Sequence, residues 1–256
     1  MKKTHLRGQA VTEFIIVMPL FLILLGGIFE FVYIYRAKVT LNTATFEAAR
    51  AGSLNHARLS PMRKSLAKGM IPLFMNASNV DNAPAAIGNM TVAYGKARLA
   101  AEAMDKASDV LSPNIGVVDV ISPTKAIFEY YKVKRRVRLQ HESEFFERDI
   151  IPNDSLLFRS SESRDIGEDG AKVNINIQDA NLLKIRTFWC YKLKVPLVKT
   201  LIRETVSGLF GILNTSPEQR VCNGAELFTG DEYIALVSQS TIRMQSHIVQ
   251  EGGNLK

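Results

Sequence analysis

The stretch Gly-Gln-Ala-Val-Thr-Glu-Phe at residues 8–14 holds the two residues whose types and spacing most invite chemistry, Gly8 and Glu13. Glycine has no Cβ, so another protein approaches the backbone closely at Gly8 without a clash. Glu13 puts a carboxylate at the rim of a long apolar run, where it needs water or a partner. If the segment is helical, Gln9 and Glu13 lie one turn apart on one face, and a carboxylate in a first turn suits the helix dipole. On these residues alone, a carboxylate snorkelling to water at the membrane interface is the simpler account of Glu13, and a paired carboxylate is the sharper one.

Other chemistry finds little support. His5, His56, His141 and His247 are scattered with no zinc spacing. Asp165, Glu168 and Asp169 lack the alternating positions and closing Glu of a calcium loop. Gly88, Gly95 and Lys96 are spaced too widely for a phosphate loop, and Ala97 stands where Ser or Thr is needed. No Gly-x-Ser-x-Gly elbow occurs. The expectation is therefore a non-enzyme with no cofactor and no metal site. The two cysteines, Cys190 and Cys222, would pair if the body lies outside the cytoplasm, because oxidising compartments favour disulfides. That bond would close a loop of about 32 residues and stabilise by ~3–4 kcal/mol in the chain-entropy account. Two free, buried thiols are the other reading.

The element that must position Gly8 and Glu13 is an apolar helix. From Phe14 to Phe29 there is no charged residue, and after Glu30 the run continues to Tyr35. Phe14 to Tyr35 as a helix measures roughly 33 Å at ~1.5 Å per residue, against a hydrocarbon core of about 30 Å. This run is longer than the core of a secretory signal and no small-x-small cleavage pair ends it, so a retained anchor is expected. Lys2, Lys3 and Arg7 argue for a cytoplasmic head, although Arg36 and Lys38 flank the far end. Glu30 reads as exposed at headgroup level, with Arg36 too far along to be a helical partner. The helical pattern continues to about Ala51, some 60 Å in all, with Pro19 and Gly26-Gly27 as places to bend. Tyr35, Val39, Thr43, Phe46 and Ala49 form a stripe expected to pack on the body, and Gly52 reads as the C-terminal cap.

The leader ending in Gly8, then Gln9, Glu13 and Phe14 before an unbroken apolar helix, resembles a class IV prepilin processing site. With Pro19 and the later Ala49, Arg50 and Gly52, residues 8–52 resemble the TadE-like minor pseudopilins of Tad (Flp) pili. The resemblance implies that an aspartyl prepilin peptidase cuts the Gly8–Gln9 bond. It also implies that Glu13 meets a neighbour's freed amine during assembly. It favours processing over the snorkelling account. The implied organisation is a basic leader at 1–8, a transmembrane and extended helix at 9–52, and an extracytoplasmic domain at 53–256. The implied partners are the prepilin peptidase, other pilus or pseudopilin subunits and an inner-membrane assembly platform. Ile151, Pro152, Asn153, Asp154 and Leu156 match a further pattern of the family, read here only as a capped turn.

The body reads as α+β. Met62, Leu66, Met70 and Leu73 recur at helical spacing, residues 76–89 read as a loop, residues 94–112 as a helix, and residues 115–122 as a short strand followed by a helix after Pro123. Lys172–Gln178 alternates briefly. Leu182–Val195 alternates strictly, with Leu183, Ile185, Thr187, Trp189, Tyr191 and Leu193 on one face and Lys184, Arg186, Phe188, Cys190 and Lys192 on a polar one, the pattern of a half-buried antiparallel strand. Asp231–Ser246 reads as a final strand. Residues 195–213 form a helix or apolar flap whose Lys199, Arg203 and Glu204 make it a poor second span. The 256 residues carry a net charge of +7; with Lys2, Lys3 and Arg7 removed, 29 basic residues face 25 acidic ones. That balance is too mild for nucleic acid, and the basic run at 132–138 lacks the aromatics or module such binding needs. The expected role is a minor pseudopilin-like structural component held in the inner membrane, supporting adhesion or surface colonisation. A signal-anchored adhesin or binding module is the alternative.

Overall fold

A computed structural model describes residues 9–75, 83–113, 115–139, 142–167, 172–196, 198–207, 216–251 and 253–255. Helix α1 runs from Gln9 to Leu54, 46 residues or roughly 69 Å at ~1.5 Å each. Pro19 lies inside it. Gly52 is not its cap. A Cβ there would meet Met62 Sδ at 2.6 Å and Leu183 Cδ2 at 2.9 Å, so this glycine serves close packing. The helix ends instead on His56 and Ala57, both left-handed, with Ala57 N–H donating to the Gly52 carbonyl at 2.9 Å.

The remaining elements are α2 (Leu59–Gly69), α3 (Ala83–Leu111), β1 (Val118–Ser122), α4 (Lys125–Tyr131), β2 (Val133–Val137), β3 (Phe146–Ile151), β4 (Arg164–Ile166), β5 (Val173–Ile175), α5 (Ile177–Ala180), β6 (Leu182–Lys192), α6 (Val198–Ser207), α7 (Pro217–Thr229), β7 (Tyr233–Arg243) and β8 (Ile248–Val249). The architecture is α+β, a long apolar N-terminal helix followed by a domain with antiparallel sheets. The main sheet has the order β1-β6-β7. Its central strand β6 pairs with β7 from Leu182↔Arg243 to Lys192↔Tyr233. A second sheet orders β2-β3-β8, and β4 pairs with β5.

The alternation of β6 survives, but its polar face does not. Thr187 bonds Thr45 of α1, so the odd-numbered residues face α1. On the opposite face Phe188 and Cys190 are buried, and Cys190 is bonded to Cys222 of α7, while Arg186 pairs with the buried Glu218 of the same helix. Helix α7, with α3 beside it, thus covers the face that the lysines and arginine made look solvent-facing. Met62, Leu66 and Met70 of α2 and the turn after it are buried, while Leu73 packs more loosely.

Two further expectations change. Residues 83–89 are helical and belong to α3; residues 76–82 of the expected loop lie outside the described residues. The alternation at 172–178 yields a strand of only three residues, since the Asn176 side chain accepts from Asp179 N–H at 2.8 Å and starts α5.

Helices α1 and α2 cross where Gly69 faces Ala44: a Cβ on Gly69 would stand 2.5 Å from Ala44 Cβ and 2.6 Å from its Cα. Gly69→Ala gains up to ~1 kcal/mol of helix propensity, but forcing the helices apart costs ~1–3 kcal/mol. The expected outcome is a lower urea midpoint for the full chain in detergent micelles. A Gly69→Ala midpoint at or above wild type would contradict this account of the crossing.

Candidate processing segment and helical anchor

Gly8 lies outside the described residues. Gln9 and Glu13 are one turn apart on the continuous helix α1. Glu13 is exposed, and Phe14 is 63% exposed. Apart from half-buried Leu25, Gly26 and Gly27, the side chains from Phe14 to Phe29 are exposed and apolar. Among the described residues α1 is the one helix long and apolar enough to cross a membrane. Such a surface is a poor match for water and a good one for lipid.

Glu30 corrects the sequence reading. It is not exposed at headgroup level but 0% accessible. Its carboxylate accepts from Lys194 N–H at 3.0 and 3.2 Å and from Val195 N–H at 2.6 Å. These donors lie just past the end of β6, where the strand leaves its ladder. Arg36 is not needed as a partner, because backbone N–H groups do the work that a buried carboxylate requires. One turn towards the N-terminus, a Cβ on Gly26 would meet Val198 at 3.0 Å and Val195 at 3.2 Å, so α1 and the start of α6 touch here. The Tyr191 hydroxyl is buried beside this point; burial first and the Glu30 charge second push its pKa up to about 12. Lys194 Nζ sits 5.1 Å from the Tyr33 ring centroid.

Beyond Glu30 the helix is stitched to the sheet. Ala37, Leu41, Ala44, Thr45, Ala48 and Ala49 are buried. The Thr45 and Thr187 hydroxyls meet at 2.6 Å, Ser238 donates to Asn42 at 2.9 Å, and Lys38 donates to the Val237 carbonyl. The stripe expected to pack here is mostly on the wrong side: Tyr35 is 62% exposed, and Val39, Thr43 and Phe46 are also exposed, leaving Ala49 alone of the five buried. The sheet takes the small-residue face because close approach of helix and strand leaves no room for rings.

The Ile151–Leu156 stretch is more than a capped turn. Asn153 donates from its side chain to the Met244 carbonyl and from its backbone to His247 Nδ1, both at 3.0 Å. The Pro152 carbonyl accepts from Asn181 at 3.1 Å, and Asp154 pairs with Arg135 at 3.1 Å. The His247 carbonyl meets His56 Nδ1 at 2.8 Å. This stretch therefore ties the second sheet to the turn that ends α1, and it brings together two histidines that look unrelated in the sequence. The basic run at 132–138 forms β2, an outer strand whose Lys134, Arg135 and Arg136 are exposed. Cys190 and Cys222, both buried, have Cα atoms 5.4 Å apart and form a disulfide that fastens α7 to β6. Of the residues 195–213, 198–207 form α6, and 197 and 208–213 lie outside the described residues.

Glu30→Ala leaves the Lys194 and Val195 N–H groups buried without an acceptor, at a cost of ~1–3 kcal/mol. The expected result is a lower urea midpoint together with faster proteolysis between residues 193 and 207. Glu30→Gln keeps one acceptor oxygen and loses less; equal losses for the two would contradict the acceptor role. A second expectation concerns pH. Burial lowers the His247 pKa below 6.5 in the folded chain, against the opposing pull of Asp154. The unfolded chain therefore binds the extra proton first, and stability contributed by neutral His247 is complete above 6.5 and is lost as pH falls below it. His247→Asn is expected to flatten the slope of the urea midpoint below that value.

The comparisons with known proteins bear on the same segment. No curated protein and no solved structure matches the chain. The family model described as TadE-like protein matches residues 8–50. The match takes in Gly8, Gln9, Glu13, Phe14, Pro19, the clamped Glu30 and the sheet-facing half of α1 as far as Arg50, and over that segment the chain is similar to TadE-like proteins.

Proposed function

We propose that this chain is a minor pseudopilin-like structural component in assembly of a Tad-type pilus, cut by a prepilin peptidase at the Gly8–Gln9 bond. The family supports the coarser part, a Tad pilus-associated component with an apolar helix suited to membrane anchoring. The single observation carrying the finer part is that from Gln9 onward the chain continues as one helix past Glu13, through the apolar surface and into the body. Cutting there would free an amine one turn from Glu13, in a position to meet a carboxylate of a neighbouring subunit as Glu13 meets that neighbour's amine.

In this reading residues 1–8 are a leader on the cytoplasmic side of the inner membrane, 9–52 the anchor and its extension, and 53–256 a periplasmic body. The Cys190–Cys222 bond supports that side, since oxidising compartments keep such bonds. The outward apolar stripe of Phe31, Tyr35, Val39 and Phe46 supports packing against other subunits. The role is structural: the chemistry is done to the chain by the peptidase.

Intact mass and terminal sequencing from cells containing the peptidase are expected to show Gln9 as the mature terminus. A Met1 terminus in such cells would sink the proposal. Gly8→Leu is expected to block cutting, because its side chain obstructs the close backbone approach. Glu13→Ala is expected to leave cutting intact and to impair piliation; normal piliation would remove the pairing role. Non-reducing peptide mapping is expected to recover Cys190 linked to Cys222, and two free thiols would count against the periplasmic assignment.

A further inference from the structure

We propose that helix α6 lies in the membrane interface, with its apolar side at the acyl boundary and its basic residues among anionic lipid headgroups. The inference rests on reading α1 as the membrane anchor. It begins with a mismatch of lengths. The exposed apolar run from Phe14 to Phe29 has 16 residues, about 24 Å of helix. A hydrocarbon core of about 30 Å takes about 20 residues, which from Phe14 reaches Tyr33. Yet the body already touches α1 at Gly26 and closes around Glu30. The part of the body at that level therefore sits where acyl chains give way to headgroups.

That part is the end of β6 and the start of α6. Val195 and Val198 are the side chains against Gly26, and the Lys194 and Val195 N–H groups hold Glu30. The position of α6 along α1 is thus fixed by contacts on both sides of one helical turn. At the same level Ile28, Phe29 and Phe31 are 53%, 60% and 69% exposed, so the surface around the anchor is apolar there on other sides as well.

The composition of α6 suits the position. Val198 is buried and Ile202 packs against the core, while Leu201 on the same helix is 58% exposed. Lys194, Lys199 and Arg203 stand against Glu204 in the segment, and Lys199 also lies 4.0 Å from Glu232 of the body, which leaves an excess of one basic residue. A short helix with an apolar side and a basic excess lies in the plane of an interface and prefers anionic lipid. Water offers Leu201 nothing comparable. The buried Glu30 clamp then has a second consequence: it brings a helix with no span of its own down to the lipid surface and braces the body there.

The test uses the full chain reconstituted in vesicles of phosphatidylglycerol and phosphatidylethanolamine carrying a photoactivatable diazirine lipid, with peptide mapping of the label. Label is expected on residues 14–29 and on 198–207, and little on 156–158, where Leu157 and Phe158 are 87% and 88% exposed but follow the stretch tied through Asn153 and His247 to His56 at the far end of α1. Label on 14–29 without label on 198–207 would overturn this proposal alone. No label on either would overturn the anchor reading and this proposal together. Leu201→Glu is expected to lose label from α6 while keeping it on 14–29, and unchanged labelling would remove the apolar contact. Replacing phosphatidylglycerol with phosphatidylcholine is expected to reduce label on 198–207; no reduction would remove the preference for anionic headgroups.

Discussion

One helix has to satisfy two surroundings, and the buried carboxylate of Glu30 marks the change. Before it, α1 shows apolar side chains outward from Phe14 to Phe29. After it, one face of the same helix is buried on β6 and β7 through Ala37, Leu41, Ala44, Thr45 and Ala48. A carboxylate without access to water is tolerated only when its charge is met by donors, and here the two N–H groups at the exit of β6 supply them. The position of the main sheet, the departure of the chain towards α6 and the height of the body on the helix all follow from that clamp.

Close approach is the second requirement and it explains the residue sizes. Gly26 admits Val195 and Val198, Gly52 admits Met62 and Leu183, and Gly69 admits Ala44. Each contact replaces a side chain with the partner's bulk, so the helix is gripped along its outer half on one side while its rings stay outside. The Thr45–Thr187 hydrogen bond sits in the middle of this seam, a polar pair satisfied within the core. In the proposed role this grip would join anchor and body as one rigid piece, so that movement of the helix in the membrane carries the folded domain with it.

The opposite side of the sheet shows how distant segments are recruited. Helix α7 is fastened by the Cys190–Cys222 bond and by the Arg186–Glu218 pair, and Gln219 donates from its side chain to the Tyr233 carbonyl at 3.0 Å while accepting from Ala235 N–H at 2.8 Å. These polar attachments turn a strand face carrying Lys184 and Arg186 into a covered one. The Asn153–His247–His56 arrangement does the same for the end of α1, joining the second sheet to the His56 turn through backbone groups.

Periodicity and local chemistry were enough for the long helix, the strands β6 and β7 and the α2 core residues, because each depends on residues near one another in the chain. Bulk misled the reading of the outer stripe: Tyr35, Val39 and Phe46 look like core residues, but a helix lying against a strand needs its small face inward. Glu30 could not be placed from its neighbours, since its donors are 164 and 165 residues away and belong to the backbone, which carries no sequence signal. Cys190 read as a polar-face residue because the helix that covers it comes later in the chain. What the sequence by itself determined is the long N-terminal helix with its apolar length and the two long strands of the main sheet, set by local propensity and hydrophobic pattern. What only the tertiary structure decided is which face of α1 is gripped, what partners Glu30 and how far down the anchor the body sits, because those depend on close approach and on backbone donors from distant segments.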